Sequence, residues 1–159
     1  MVNTVYAPGS LTTDETFVWY RVSPRLEVGL AYLLKQGAFR GLASYQLAPE
    51  KPESPSVNVS AGVQGIGTGN PGYSGTLEKN WRTGTSTLNV YAGVGFRSNE
   101  NHVHAIGGVK LTLAEGLAIG VQDDGHLTNP FLTYSLDKLT FGLYLVGGKS
   151  PAYLMGFRF

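Results

Sequence analysis

Apolar residues in this chain recur at every second position, segment after segment, with little of the three-to-four spacing of a helix. The closing stretch, SPAYLMGFRF, sets Tyr153, Met155, Phe157 and Phe159 on one side and Ala152, Leu154, Gly156 and Arg158 on the other. A strand points successive side chains to opposite faces, so such a segment predicts a strand with one apolar face. RLEVGLAYLLK places Leu26, Val28, Leu30, Tyr32 and Leu34 against Glu27, Gly29, Ala31 and Leu33. TLNVYAGVGFR places Leu88, Val90, Ala92, Val94 and Phe96 against Asn89, Tyr91, Gly93, Gly95 and Arg97. FRGLASYQL, SVNVSAGVQG, HVHAIGGVKLTL and LTFGLYLV repeat the pattern.

Turn-forming clusters separate these runs. One set reads SPR, APEKPESPS, RTGTS, LAEG and LDK; the alternate set reads KQG, GIGTGNPG, RSNENH, DDGHLTNP and GGKSP. Counting back from Phe159 gives eleven good strands, and VNTVYA supplies a short twelfth before the loop PGSLTTDE. An even count puts both termini at one end. The pattern predicts a single all-β domain over residues 1–159, a closed antiparallel up-and-down barrel of twelve strands, or ten if a weak N-terminal strand stays unpaired. The form Leu-x-apolar-Gly-apolar at 26–30, 117–121 and 139–143 marks a loose hairpin repeat.

The second face decides which solvent the first one meets. A water-facing surface is rich in Lys, Arg, Asp and Glu. Here charged residues are 14% of the chain, below the usual quarter, and the second face is mostly Gly, Ala, Ser, Thr, Asn and Gln. That composition suits a narrow lumen, with the apolar face turned outward to lipid. Tyr20, Tyr32, Tyr45, Tyr73, Trp81, Phe96, Tyr153 and Phe159 fall near predicted strand ends, where aromatic girdles sit. No run of about 18 apolar residues is present, which excludes a transmembrane helix. The net charge of +1 gives no electrostatic argument for nucleic acid, and the absence of cysteine removes disulfides and thiolate chemistry. The start, MVNTVYAPGS, lacks the basic and apolar regions of a signal peptide, as expected of a mature chain with an added Met1 or of a cytosolic one.

In its closing segment AYLMGFRF, with a terminal aromatic preceded by alternating hydrophobics, the chain resembles bacterial outer-membrane β-barrel proteins. The resemblance implies location in the bacterial outer membrane, insertion by the barrel assembly machinery, and periplasmic termini. The first set of turns would then be periplasmic and the second extracellular. Residues 107–146 are also similar to barrel segments of exopolysaccharide-associated outer-membrane proteins, without any catalytic motif.

The predicted lumen face carries Arg21, Glu27, Arg40, Glu78, Arg82, Arg97, Lys110 and Arg158. These residues suggest either a mildly cationic pore with small anionic solutes as permeants, or a network of paired charges inside a closed plug. His102 and His104 share a strand face and His126 lies at the same end, but no carboxylate has an assigned place beside them, so no metal site is expected. Asp124-x-His126 resembles the Asp–His pair of outer-membrane proteases of the omptin type, yet the second acidic pair and the long loop extensions of that family are absent. No serine has a recognisable nucleophile context. GIGTGNPG lacks the Lys-Ser/Thr of a phosphate loop and reads as a flexible loop, and Asn58-Val59-Ser60 lies within a predicted strand. The expectation is therefore a small integral outer-membrane barrel, structural or a narrow passive pore, not an enzyme, without cofactors, and with the bilayer or detergent as its main partner. The alternative is a soluble small-ligand-binding barrel of lipocalin-like size, whose Leu, Val and Phe faces would line a cavity.

Overall fold

The computed structural model describes residues 1–8, 14–63 and 71–159. Twelve strands follow one another in the order of the sequence: β1 (Val2–Tyr6), β2 (Glu15–Ser23), β3 (Leu26–Leu33), β4 (Ala38–Ala48), β5 (Ser56–Val63), β6 (Pro71–Thr83), β7 (Ser86–Arg97), β8 (Val103–Thr112), β9 (Leu117–Asp123), β10 (Thr128–Leu136), β11 (Leu139–Val146) and β12 (Ser150–Phe157). Each pairs antiparallel with its neighbours in sequence. The short β1 closes the sheet by pairing with both β2 and β12, with Val2 opposite Phe157 and Tyr6 opposite Tyr153. The count is thus twelve, and both termini lie at one end, here the terminal end; the other is the far end. Closure leaves no sheet edge running the length of the barrel.

Apart from the 49–55 segment, chain reversals at the terminal end are tight. Gly84 (φ 59°) and Asp137 (φ 50°) open two-residue hairpin turns, which need positive φ there to match the twist of the strands. Ala114–Gly116 forms one 3-10 turn. The expected DDGHLTNP loop is shorter than the sequence implies, because Asp123 ends β9 and Thr128, Asn129 and Pro130 already belong to β10. Pro130 faces Val121, while the ladder to β11 begins only at Phe131, so a residue without an N–H sits where one side of the strand is unpaired. Most of GIGTGNPG lies outside the described residues; its Pro71 and Gly72 start β6.

The alternation read from the sequence sets the two faces. Phe141 (48% exposed), Met155 (59%) and Val59 (38%) point outward. The paired positions Trp81, Leu88, Leu111, Ile119, Leu132, Leu143, Tyr153 and Tyr6 carry an apolar band across seven ladders from β6 to β1. Exposed aromatics gather toward the two ends: Tyr6, Tyr32, Phe39 and Tyr73 at the far end, Tyr20, Tyr45, Trp81 and Phe157 at the terminal end. Buried hydrophobics are few and mostly small, with a cluster of Val5, Ala7, Val146 and Ala152 packed by Phe17, Tyr144 and Leu154. The molecule is apolar outside and polar within, the reverse of a water-soluble core.

Inward aromatics are accommodated by small residues on the adjoining strand. Trp19 faces Gly29, Phe17 faces Ala31, Tyr91 faces Gly108, Phe131 faces Gly120 and Tyr144 faces Ala152. The rings lie across the gaps those small residues leave, and Phe131 stacks on Tyr144 at 5.2 Å.

One cation, Lys79, sits within the apolar outer face. The segment 49–55 folds against it: Lys79 Nζ donates to the carbonyls of Lys51 and Pro52 and lies 3.5 Å from Glu50. Residues 79–83 of β6 project past the start of β5, and Glu50 covers that edge by accepting from the Asn80 backbone N–H (3.1 Å) and side-chain amide (2.7 Å).

Candidate functional site

Among the described residues, two lumen chambers share Tyr91 and Gln122. One, of about 430 Å³, is lined by Ser44, Ser60, Ser74, Thr76, Glu27, Glu78 and Asp124, among others. The second, of about 360 Å³, runs toward the terminal end and is lined by Asn3, Asn89, Thr133, Thr140, Lys110 and Arg158, among others. Every charged group lining the first chamber is acidic, and both charged side chains lining the second are basic. Of the six cations expected to line the lumen, Lys110 and Arg158 line the second chamber.

The eight lumen residues expected from the sequence follow the inward parity of their strands, with Arg158 one residue past the end of β12 and Arg21 and Arg82 exposed, and they do not form one set. Arg21 Nε donates to Glu27 Oε1 at 2.8 Å across the β2–β3 ladder, near the terminal end. Arg40 is half-buried on β4, opposite Ala31. Glu78 accepts from Asn89 (2.6 Å) and Asn58 (3.4 Å), and Asn89 also donates to Asn80 (2.9 Å), a chain of amides around one carboxylate. Arg82 is exposed at the terminal end, beside Trp81 and Thr87. Arg97 is buried at the far end, where its Nη2 lies 3.0 Å from Asp124 Oδ2 and its Nη1 3.7 Å from Glu100 Oε1. Lys110 and Arg158 face the second chamber.

Several polar groups that matter here were not placed in the lumen from the sequence. Asp124 follows Ala118, Gly120 and Gln122 in inward parity, so extending the alternation by one step finds it. Asn89, likewise inward, is almost fully buried between Glu78 and Asn80. Glu100 lies in the turn after β7, where no periodicity reports its direction. It reaches Arg97, His104 and His126 at once. Partial burial pushes the Glu100 carboxyl up, but the hydrogen bond with His104 and the charges of His126 and Arg97 outweigh it and hold the group below its ordinary value.

The Asp124–His126 pair weighed as protease chemistry is not formed as such. Asp124 Oδ1 accepts from the backbone N–H groups of His126 (2.9 Å) and Leu127 (2.8 Å), its other oxygen faces Arg97, and the His126 ring turns to Glu100. At the same end Asn129 is fully buried; it donates to the Leu127 carbonyl (3.2 Å) and accepts from the Gly147 N–H (2.9 Å), tying two turns together. A separate hollow of about 470 Å³ lies on the outer face between Tyr45, Tyr73 and Phe96, floored by Ala61 and Gly75, and its lining is apolar. The sequence matches no protein-family model and no curated protein.

Proposed function

We propose that this chain is an integral barrel of the bacterial outer membrane whose lumen is a narrow passive pore for small polar solutes. The observation that carries the reading is the continuous apolar band from Trp81 to Tyr6, outward on eight neighbouring strands. Water-soluble monomers rarely expose contiguous apolar patches beyond a few hundred Å², because such a surface drives association. Hydrocarbon is the solvent that suits it, and a closed barrel is the sheet arrangement that satisfies every backbone group there. The soluble ligand-binding alternative needs apolar side chains around a cavity, whereas the chambers here are lined largely by Ser, Thr, Asn and charged groups.

Two chambers meeting at Tyr91 and Gln122 favour a constricted passage over an open channel. Lys110 and Arg158 attract small anions at the terminal-end chamber, while the acidic partner chamber opposes strong selectivity. The partners implied are the lipid bilayer and the assembly machinery that inserts such barrels, with no role for nucleic acid and no catalytic step. Extraction tests the membrane part: the reading expects recovery only with detergent, and full solubility in plain buffer would overturn it. Planar-bilayer recording then tests the pore, which should give small steady conductance steps. A folded barrel without steps at any salt concentration would leave only the structural role.

A further inference from the structure

The histidines at the far end meet a carboxylate that the pore has no use for. Glu100 offers its two oxygens to rings from two different segments: Oε2 lies 2.7 Å from His104 Nε2, and Oε1 lies 2.8 Å from His126 Nε2. Ligand atoms from all three residues fall within 4.8 Å of one another. The His104 and His126 rings are 4.1 Å apart, and the Glu100 and His104 side chains are largely buried.

Neighbouring residues hold this arrangement from behind. Asp124 fixes the turn bearing His126 through two backbone N–H groups and balances Arg97, so the nearby guanidinium is already matched. With neutral imidazoles, Arg97, Asp124 and Glu100 leave the cluster one net negative charge. Two imidazole nitrogens and a carboxylate converging under a net negative charge make a donor set for a borderline divalent metal.

The geometry points to a divalent transition-metal site formed by Glu100, His104 and His126 at the far mouth of the barrel, with zinc as its reference ion. Around a tetrahedral ion with bonds near ~2.1 Å, ligand atoms lie about 3.4 Å apart. Reaching that spacing takes side-chain rotations in which the Glu100 carboxylate draws back from the two rings, with every donor pair starting within 4.8 Å. Each imidazole then presents its Nε2 lone pair and carries its proton on Nδ1. Three protein ligands leave a fourth position for water. His102 stands beside His104 at a ring separation of 4.4 Å, but its Nδ1 faces Asn101 (2.9 Å), and it lies outside the set.

The test uses the folded chain in detergent, titrated with Zn²⁺ in equilibrium dialysis and with Co²⁺ in visible absorption. The expected result is one ion per chain and the intense d–d bands of tetrahedral cobalt. His104→Gln and His126→Gln should each weaken Zn²⁺ binding at least about tenfold, since even outer partners of metal ligands cost that much. His102→Gln should leave binding unchanged. His126 lies in an exposed turn, so its variant retains the barrel, which circular dichroism verifies. Wild-type binding no greater than that of the His104/His126 double variant would overturn the site. So would equal loss in His102→Gln. The readout is independent of conductance, so the site and the pore stand or fall separately.

Discussion

Tyr91 occupies the space that a side chain at Gly108 would fill: a Cβ there would come within 2.5 Å of Tyr91 Cε1. The two residues face each other across the β7–β8 ladder, and Tyr91 borders both chambers. The glycine lets the ring lie flat at the constriction. Gly108→Val should displace the ring and cost about 1–3 kcal/mol, as overpacking does. Tyr91→Ala should join the chambers and raise single-channel conductance, while leaving the outer band untouched. Equal conductance in wild type and Tyr91→Ala would mean that the constriction lies elsewhere.

Leu143 lies within the outer apolar band, between Leu132 and Tyr153. If lipid surrounds it, Leu143→Arg should cost about 2–4 kcal/mol near the bilayer midplane. At a water-exposed position the same change would stay within about 0.5 kcal/mol. Denaturant titration of the variant folded into lipid vesicles separates the two outcomes.

Lys110 faces the terminal-end chamber, whose other charged side chain is Arg158. Lys110→Glu should move the reversal potential of the pore in a salt gradient toward cation preference. No movement would show that permeating ions do not pass this chamber.

Glu50 anchors the 49–55 segment to the projecting end of β6. The Asn80 side-chain and backbone hydrogen bonds, helped by the Lys79 charge, outweigh the burial penalty and hold its carboxyl below its ordinary value. A folded-state pKa lower than the unfolded one means that folding favours the ionised form. That contribution is complete above the unfolded carboxylate range and is lost as pH falls through the lowered folded value. Protease cleavage within 49–55 should therefore accelerate in acid, and Glu50→Gln should show fast cleavage already at neutral pH. A cleavage rate independent of pH in the wild type would exclude this anchoring.

Asn129 joins two far-end turns from a fully buried position. Asn129→Leu leaves the Gly147 N–H without its acceptor, and should cost about 1–3 kcal/mol by thermal or denaturant unfolding. Wild-type stability in that variant would mean that water or a neighbouring group replaces the amide.

The alternation of side chains was enough to read the barrel. Two-residue periodicity in nearly every segment fixes strands, their number and the face each residue occupies, because a strand has only two sides. It also placed Arg21, Glu27, Arg40, Glu78, Arg82, Arg97, Lys110 and Arg158 inward, and extended one residue past β9 it reaches Asp124. Periodicity says nothing about which inward groups meet across the lumen, since that depends on register and closure. Only the tertiary structure therefore separates an acidic chamber from a basic one. The same limit applies more strongly in turns. Glu100 has no strand to aim it, and its meeting with His104 and His126 arises because the β8–β9 pairing sets the β7–β8 and β9–β10 turns side by side. Local pattern determined the faces of this protein, and long-range pairing decided which charges share a space.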